Sequence, residues 1–157
     1  MADDRPAPDP TAPQVHHTIE LDADVDTVLE ALHDPDLLAQ WLGVWTADET
    51  DPSSATILTD DGVARRVREV HHGARSVNWT WSPDSDPEAA SHVRIEVAPT
   101  EDGRSRLMVH EHLVAGAGRV RASASGASAA LLSSGWVVAL LMLQVLVVLR
   151  AAVPALV

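Results

Sequence analysis

The sequence predicts an α+β domain: an antiparallel sheet of about six to seven strands, two short helices after the first strand, and a long helix that ends the fold. Two patterns carry this expectation. Up to Leu113 the apolar residues fall in short runs, alternating or at helical spacing, with turn residues between them. Ala129 to Leu149 then runs without a charge. At ~1.5 Å per residue that stretch would extend about 31 Å, too long for a strand and close to the thickness of a bilayer's hydrocarbon core.

The elements follow in order. Residues 1–13 combine prolines and aspartates with almost nothing apolar, which predicts a disordered tail ahead of a single domain at 14–150. Val15, His17, Ile19 and Leu21 alternate with His16, Thr18 and Glu20, the pattern of a half-buried strand. Val25, Val28, Leu29 and Leu32 share one helical face behind aspartates able to cap it. Asp34 and Pro35 then open a second helix holding Leu37, Leu38 and Trp41, and Gly43 ends it. Strands are expected at Ala55–Thr59, Val63–Val70, Arg75–Trp81, His92–Ala98 and Arg104–Val114. Asp60-Asp61-Gly62, His72-Gly73, Ser82 to Pro87 and Pro99 to Gly103 turn the chain between them. Ala115 to Ser128 is alanine, glycine and serine, a flexible connection that would let the terminal helix (129–150) move as a lid; a short tail, 151–157, follows.

Composition excludes several chemistries. The 157 residues contain no cysteine, so disulfides, thiolate zinc sites and cysteine nucleophiles are absent. Lysine is absent too, which removes Schiff-base chemistry and a phosphate-loop lysine. A net charge of −12 argues against nucleic acid, which requires a basic face. Every acidic residue lies at or before Glu111, and Arg119, Arg121 and Arg150 are the only charges beyond it. No apolar stretch follows the start, so a cytoplasmic location is the default expectation.

The order of elements matches the helix-grip fold, and specific residues agree. Ala23 to Leu32 (ADVDTVLEAL), followed by His33 to Gly43 (HDPDLLAQWLG), resembles the opening of the START-related (SRPBCC) ligand-binding superfamily. The nearest likeness is to the branch named after the activator of the heat-shock-protein ATPase (AHSA-type). Gly62 to Val70, Trp79-Thr80-Trp81, and Gly135-Trp136 with its leucine-rich continuation resemble later landmarks of that branch. Asp24 stands where the branch carries proline, Leu29 where it carries a first tryptophan, and Thr50 to Ser54 where it often carries a glycine-rich segment. The resemblance implies a cavity between the sheet's concave face and the terminal helix. It also implies three function classes: small-molecule binding, a co-chaperone-like protein-interaction module, or a cyclase or dehydratase hosted on the same scaffold.

The residues that would line such a cavity are Trp41, Trp79, Trp81, Glu111, Trp136 and Leu140. Trp79 and Trp81, two apart on a strand, point to one face. They either wall a pocket for a flat apolar ligand or supply core bulk in a chain without phenylalanine or tyrosine. Leu107, Val109, Glu111 and Leu113 alternate with Arg106, Met108, His110 and His112. Glu111 is then either an acid among apolar neighbours, able to orient a ligand or move a proton, or a solvated group at a strand end. The simplest hairpin register across Pro99 to Gly103 sets Glu96 opposite Arg106 and His92 opposite His110. It gathers His92, His110 and His112 as a weak metal candidate with no carboxylate to orient the imidazoles. No other motif calls for a metal or a cofactor: G-x-S-x-G, H-E-x-x-H, G-x-G-x-x-G and a phosphate loop are all missing.

The terminal helix admits three readings. It seals the cavity through Trp136, Leu140, Leu143 and Val147; it enters or lies on a membrane; or one face grips the sheet while the other meets a second subunit. A helix apolar all round has to be buried all round. Ser133-Ser134-Gly135 and Gln144 interrupt a membrane span. The favoured expectation is therefore grip plus homodimer or another protein partner.

Overall fold

The computed structural model describes residues 14–59, 61–114 and 125–152, with side chains from 135 onward in the last segment. The expectations for 1–13, for 115–124 of the connection and for 153–157 fall outside the described residues.

Ten elements follow one another: β1 (Gln14–Leu21), α1 (Val25–His33), α2 (Pro35–Trp41), β2 (Gly43–Ala47), β3 (Ala55–Thr59), β4 (Ala64–His72), β5 (Ser76–Pro83), β6 (Ser91–Pro99), β7 (Ser105–Leu113) and α3 (Ser125–Ala152). The strands form one 7-stranded sheet in the order β1-β7-β6-β5-β4-β3-β2, and every neighbouring pair is antiparallel. With two short helices after the first strand and α3 laid against β1, α1 and α2, this is the helix-grip arrangement. The helix α3 begins at Ser125 rather than Ala129, so Ser125–Ser128 are helical and not part of the expected flexible connection.

Local chemistry sets the two short helices. Asp24 caps α1, its carboxyl accepting from the Thr27 amide at 2.8 Å. Asp34 caps α2, accepting from the Asp36 amide at 2.8 Å, and Pro35 occupies the first turn, where its missing N–H costs nothing. Pro35 does, however, leave the Ala31 carbonyl without the amide that would continue α1. The Trp41 indole N–H fills that place at 3.0 Å, from a ring only 1% exposed. One tryptophan thereby joins the helices and closes the core beneath them. Gly43 opens β2 rather than merely ending α2. A side chain there would place its Cβ 2.3 Å from the Leu58 carbonyl oxygen on β3.

Two departures from ideal pairing shape the inner face. In β4 the register shifts between Arg68 and His71, where Glu69 holds a positive φ of 55°. This bulge changes which alternate residues face inward: Val67 is buried before it, whereas after it Val70 packs against the core and His72, exposed, edges the hollow beside Trp79. The β6–β7 hairpin closes at Pro99 opposite Ser105, not in the expected register. Its turn runs through Gly103 at φ +80°, held by Thr100 and Arg104. Glu96 therefore faces Met108, Ala98 faces Arg106, and His92 faces His112. Arg106 pairs instead with Glu20 on β1. The slip is by an even number of positions, so each residue keeps its predicted face and changes only its neighbour.

Replacing Trp41 tests the α1–α2 junction. Trp41→Phe keeps most of the apolar volume but strands the Ala31 carbonyl, for an expected loss of about 1–3 kcal/mol in urea unfolding. Trp41→Ala adds a cavity and should cost about 3–5 kcal/mol.

Candidate functional site

The site forms around Glu111. Alternation along β7 places this side chain inward, opposite Val15 on β1 and Val93 on β6. It is 1% exposed, a carboxyl group inside an apolar core rather than a solvated strand end. Oε1 accepts from the Trp81 indole at 2.7 Å and from the Ser91 hydroxyl at 2.5 Å, and Oε2 accepts from the Trp136 indole at 2.7 Å. The sheet register explains the first two donors: Trp81 on β5 faces Ser91 on β6, diagonal to Glu111 on β7. The last donor comes from α3, so this bond fastens the terminal helix to the sheet.

A cavity of about 240 Å³ opens beside this network, lined by Leu42, Trp81, Trp136, Val138 and Ala139, with Gly135. Its polar lining is Thr59, Asp61, Arg65 and Glu111. The rings of Trp81 and Trp136 lie 5.6 Å apart at 33°. Arg65 stacks over Trp81 at 5.0 Å, pairs with Asp61 at 2.9 Å and donates to the Thr59 hydroxyl. Burial pushes the Asp61 carboxyl up, but hydrogen bonds from Arg65, Thr59 and the Val63 amide outweigh it and hold the group at about 2.

The sequence-predicted residues divide among three places. Trp81, Glu111 and Trp136 meet at this cavity. Trp79, 2% exposed, walls a second hollow of about 240 Å³ with Trp45, His33 and His72. Trp41 and Leu140 line neither hollow and belong to the core. For Trp41 the reason is its bond to Ala31, which turns the ring under α1; Leu140 is buried on the sheet side of α3. Arg65, Asp61, Thr59 and Ser91 were not anticipated. Arg65 had a signal: it alternates with Val63 and Val67, an arginine on an inward-facing series. Ser91 became legible only with the β5–β6 register.

The histidines do not gather as the weak metal candidate required. His92 lies against His112 with ring centroids 5.2 Å apart, while His110 lies against His16 at 4.2 Å. Among the described residues, no group of metal-ligating side chains large enough to hold an ion is present. Burial and the facing His16 push the His110 imidazole down; Glu96 opposes this shift and Arg94 adds to it.

Neither a family model nor a curated protein matches the chain. Solved structures do. DynU16, a protein in the dynemicin biosynthetic locus, superposes with a TM-score of 0.67 at 24% identity, over 84% of this chain. The chain spans 46% of DynU16, less than half of that protein. MLL2253 from Mesorhizobium loti gives 0.65 at 19% identity over 89% of this chain and 99% of its own. CalU16 from Micromonospora echinospora gives 0.61 at 16% identity over 85% and 75%. At these identities the likeness shows the fold alone, the helix-grip arrangement described above.

Asp61 predicts part of the acid limb of unfolding. Its carboxyl lies below the ordinary 3.8 in the folded chain, so the unfolded chain takes up the proton first as pH falls. Stability from the Asp61–Arg65 contact is full above about pH 4 and is lost progressively toward about pH 2. Because Asp61 is 34% exposed, solvent screens the effect. Asp61→Asn should flatten that part of a pH series of urea midpoints.

Proposed function

We propose that this chain is a binding domain for a small apolar or aromatic molecule, held under α3 in the cavity walled by Trp81 and Trp136. The observation that carries the reading is a hollow built directly against a buried carboxyl. Most of its lining is apolar, and its few polar groups are fixed by one another. At about 240 Å³ the hollow lies just below the ~300 Å³ at which pockets for drug-sized ligands begin, which favours a compact ring system. The sequence likeness to the AHSA-type branch, and the shared fold of a protein from a biosynthetic locus, agree with a small-molecule role. Glu111 already accepts from several donors, a situation suited to orienting a ligand rather than exchanging protons with it. No reaction is assigned, and a cytoplasmic setting remains part of the proposal.

A second reading, compatible with the first, concerns the outer face of α3. Trp136, Ala139, Leu140, Leu143 and Val147 are buried, whereas Leu141 (57%), Val145 (56%) and Leu149 (60%) are exposed, with Val138, Met142 and Val148 beside them. The Gly135–Ala152 stretch is long and apolar enough to cross a membrane, and 28% of it is buried. We propose that a second copy of the chain covers this face. The acidic body opposes approach to an anionic bilayer, and Arg150, the one arginine near the helix end, is already paired with Glu30 at 2.9 Å.

Native mass spectrometry of protein purified without detergent should show an excess mass that disappears on denaturation. Ala139→Phe, which fills the hollow, should be bare at unchanged melting temperature within a few degrees. A bare wild-type protein that also takes up no aromatic compound would overturn the small-molecule reading.

Sedimentation equilibrium should give about twice the 16.7 kDa of one chain, and Leu141→Asp should return the protein to one chain. A wild-type protein that sediments as one chain and floats with neutral phosphatidylcholine vesicles would replace the dimer with a membrane contact.

A further inference from the structure

We propose that the cavity under α3 selects flat apolar molecules that present a hydrogen-bond donor, a phenolic hydroxyl or aromatic amine, to Glu111, and that it rejects carboxylates. The inference rests on the small-molecule reading above and adds the chemistry of the ligand.

The argument is a count of acceptor positions. A carboxyl group offers about four lone-pair positions. Oε1 faces two donors, the Ser91 hydroxyl and the Trp81 indole, whose one N–H lies 2.7 Å from Oε1 and is shared with the Ser91 oxygen at 2.9 Å; on Oε2 the Trp136 indole occupies one. An indole N–H only donates, so both oxygens act as acceptors. The remaining position lies on Oε2, and Glu111 forms part of the cavity lining. No described ion pair involves Glu111.

The cation that does line the cavity is already engaged. Arg65 pairs with Asp61, donates to Thr59 and covers one face of Trp81, so the charges of Arg65 and Asp61 offset each other at the wall. A carboxylate ligand would therefore enter beside a buried acid with no spare cation among the described lining residues to receive it. A hydroxyl or amine would fill the open position while its ring lay against Trp81, Trp136 and Val138.

The test titrates the full chain with naphthalene, naphthol, methoxynaphthalene and naphthoate in a calorimeter at neutral pH. Naphthol and methoxynaphthalene differ mainly in whether the oxygen can donate. Naphthol should bind about tenfold tighter than methoxynaphthalene or naphthalene, the fold-change of one hydrogen bond to an acid. Naphthoate should bind weakest. Ala139→Phe should abolish binding of all four, which places them in this cavity rather than in the hollow beside Trp79. In Glu111→Gln the naphthol preference should collapse and naphthoate should gain. The wild-type series decides the question even if that variant folds poorly. Equal binding of naphthol and methoxynaphthalene, or tightest binding of naphthoate, overturns the inference while leaving a small-molecule cavity in place. Naphthol binding that survives Ala139→Phe also overturns it. Failure of every compound to bind overturns both readings.

Discussion

The structure depends on a carboxyl group that two indoles require. With no phenylalanine or tyrosine, the chain takes its large core volumes from five tryptophans, and each buried indole brings an N–H that is costly to leave unmet. Trp81 comes from the middle of the sheet and Trp136 from the terminal helix; a single inward residue, Glu111, accepts from both. Taken alone, an acid in the core is unfavourable. Taken with its donors, it satisfies groups that an apolar residue would strand: leucine at this position would leave the Trp136 indole without its acceptor and the Trp81 indole with only the Ser91 oxygen, at 2.9 Å. Glutamine keeps only one accepting atom, so it could serve Trp136 only by leaving Trp81 to the Ser91 oxygen.

The same bond governs how the helix meets the sheet. α3 is apolar around its whole circumference, so periodicity alone gives it no preferred face. Trp136 breaks that degeneracy: its N–H must reach Glu111, and once it does, Ala139, Leu140, Leu143 and Val147 are buried and Leu141, Val145 and Leu149 are left outward. The cavity is a consequence of this geometry. Small residues at Gly135 and Ala139 leave space beside two large rings, with Leu42 closing the far side. Grip, hollow and outer apolar face thus share one cause.

Much of the fold was legible because local rules act over a few residues. Asp34-Pro35 marked α2 by its capping chemistry, and the two-residue spacing of Trp79 and Trp81 placed both rings inward. The β6–β7 pairing misled because hairpin register depends on how Gly103 turns the chain; an even slip preserved the faces and hence the site. Glu111's side of the strand was readable and its depth was not, since its burial comes with Trp136, a residue distant in sequence. The bulge at Glu69 left no signal, because a non-glycine residue at positive φ is something composition does not announce. Arg65 was readable as an inward arginine, but its partners Asp61 and Thr59 required the β3–β4 pairing.

Trp79 shows what the core favours when the two demands conflict. It is 2% exposed, and its indole nitrogen has no partner among the described residues. An unmet buried donor costs about 1–3 kcal/mol. Against that stand the burial of a full indole and two edge contacts, with Trp45 at 6.5 Å and Trp81 at 5.8 Å between centroids. Aromatic pairs contribute ~0.5–1.5 kcal/mol each beyond their area, so the ring's packing outweighs its orphaned N–H. The row Trp45–Trp79–Trp81–Trp136 is thus built first for volume. Polar satisfaction is concentrated at its Glu111 end, where the helix is held and where an acceptor position is left over.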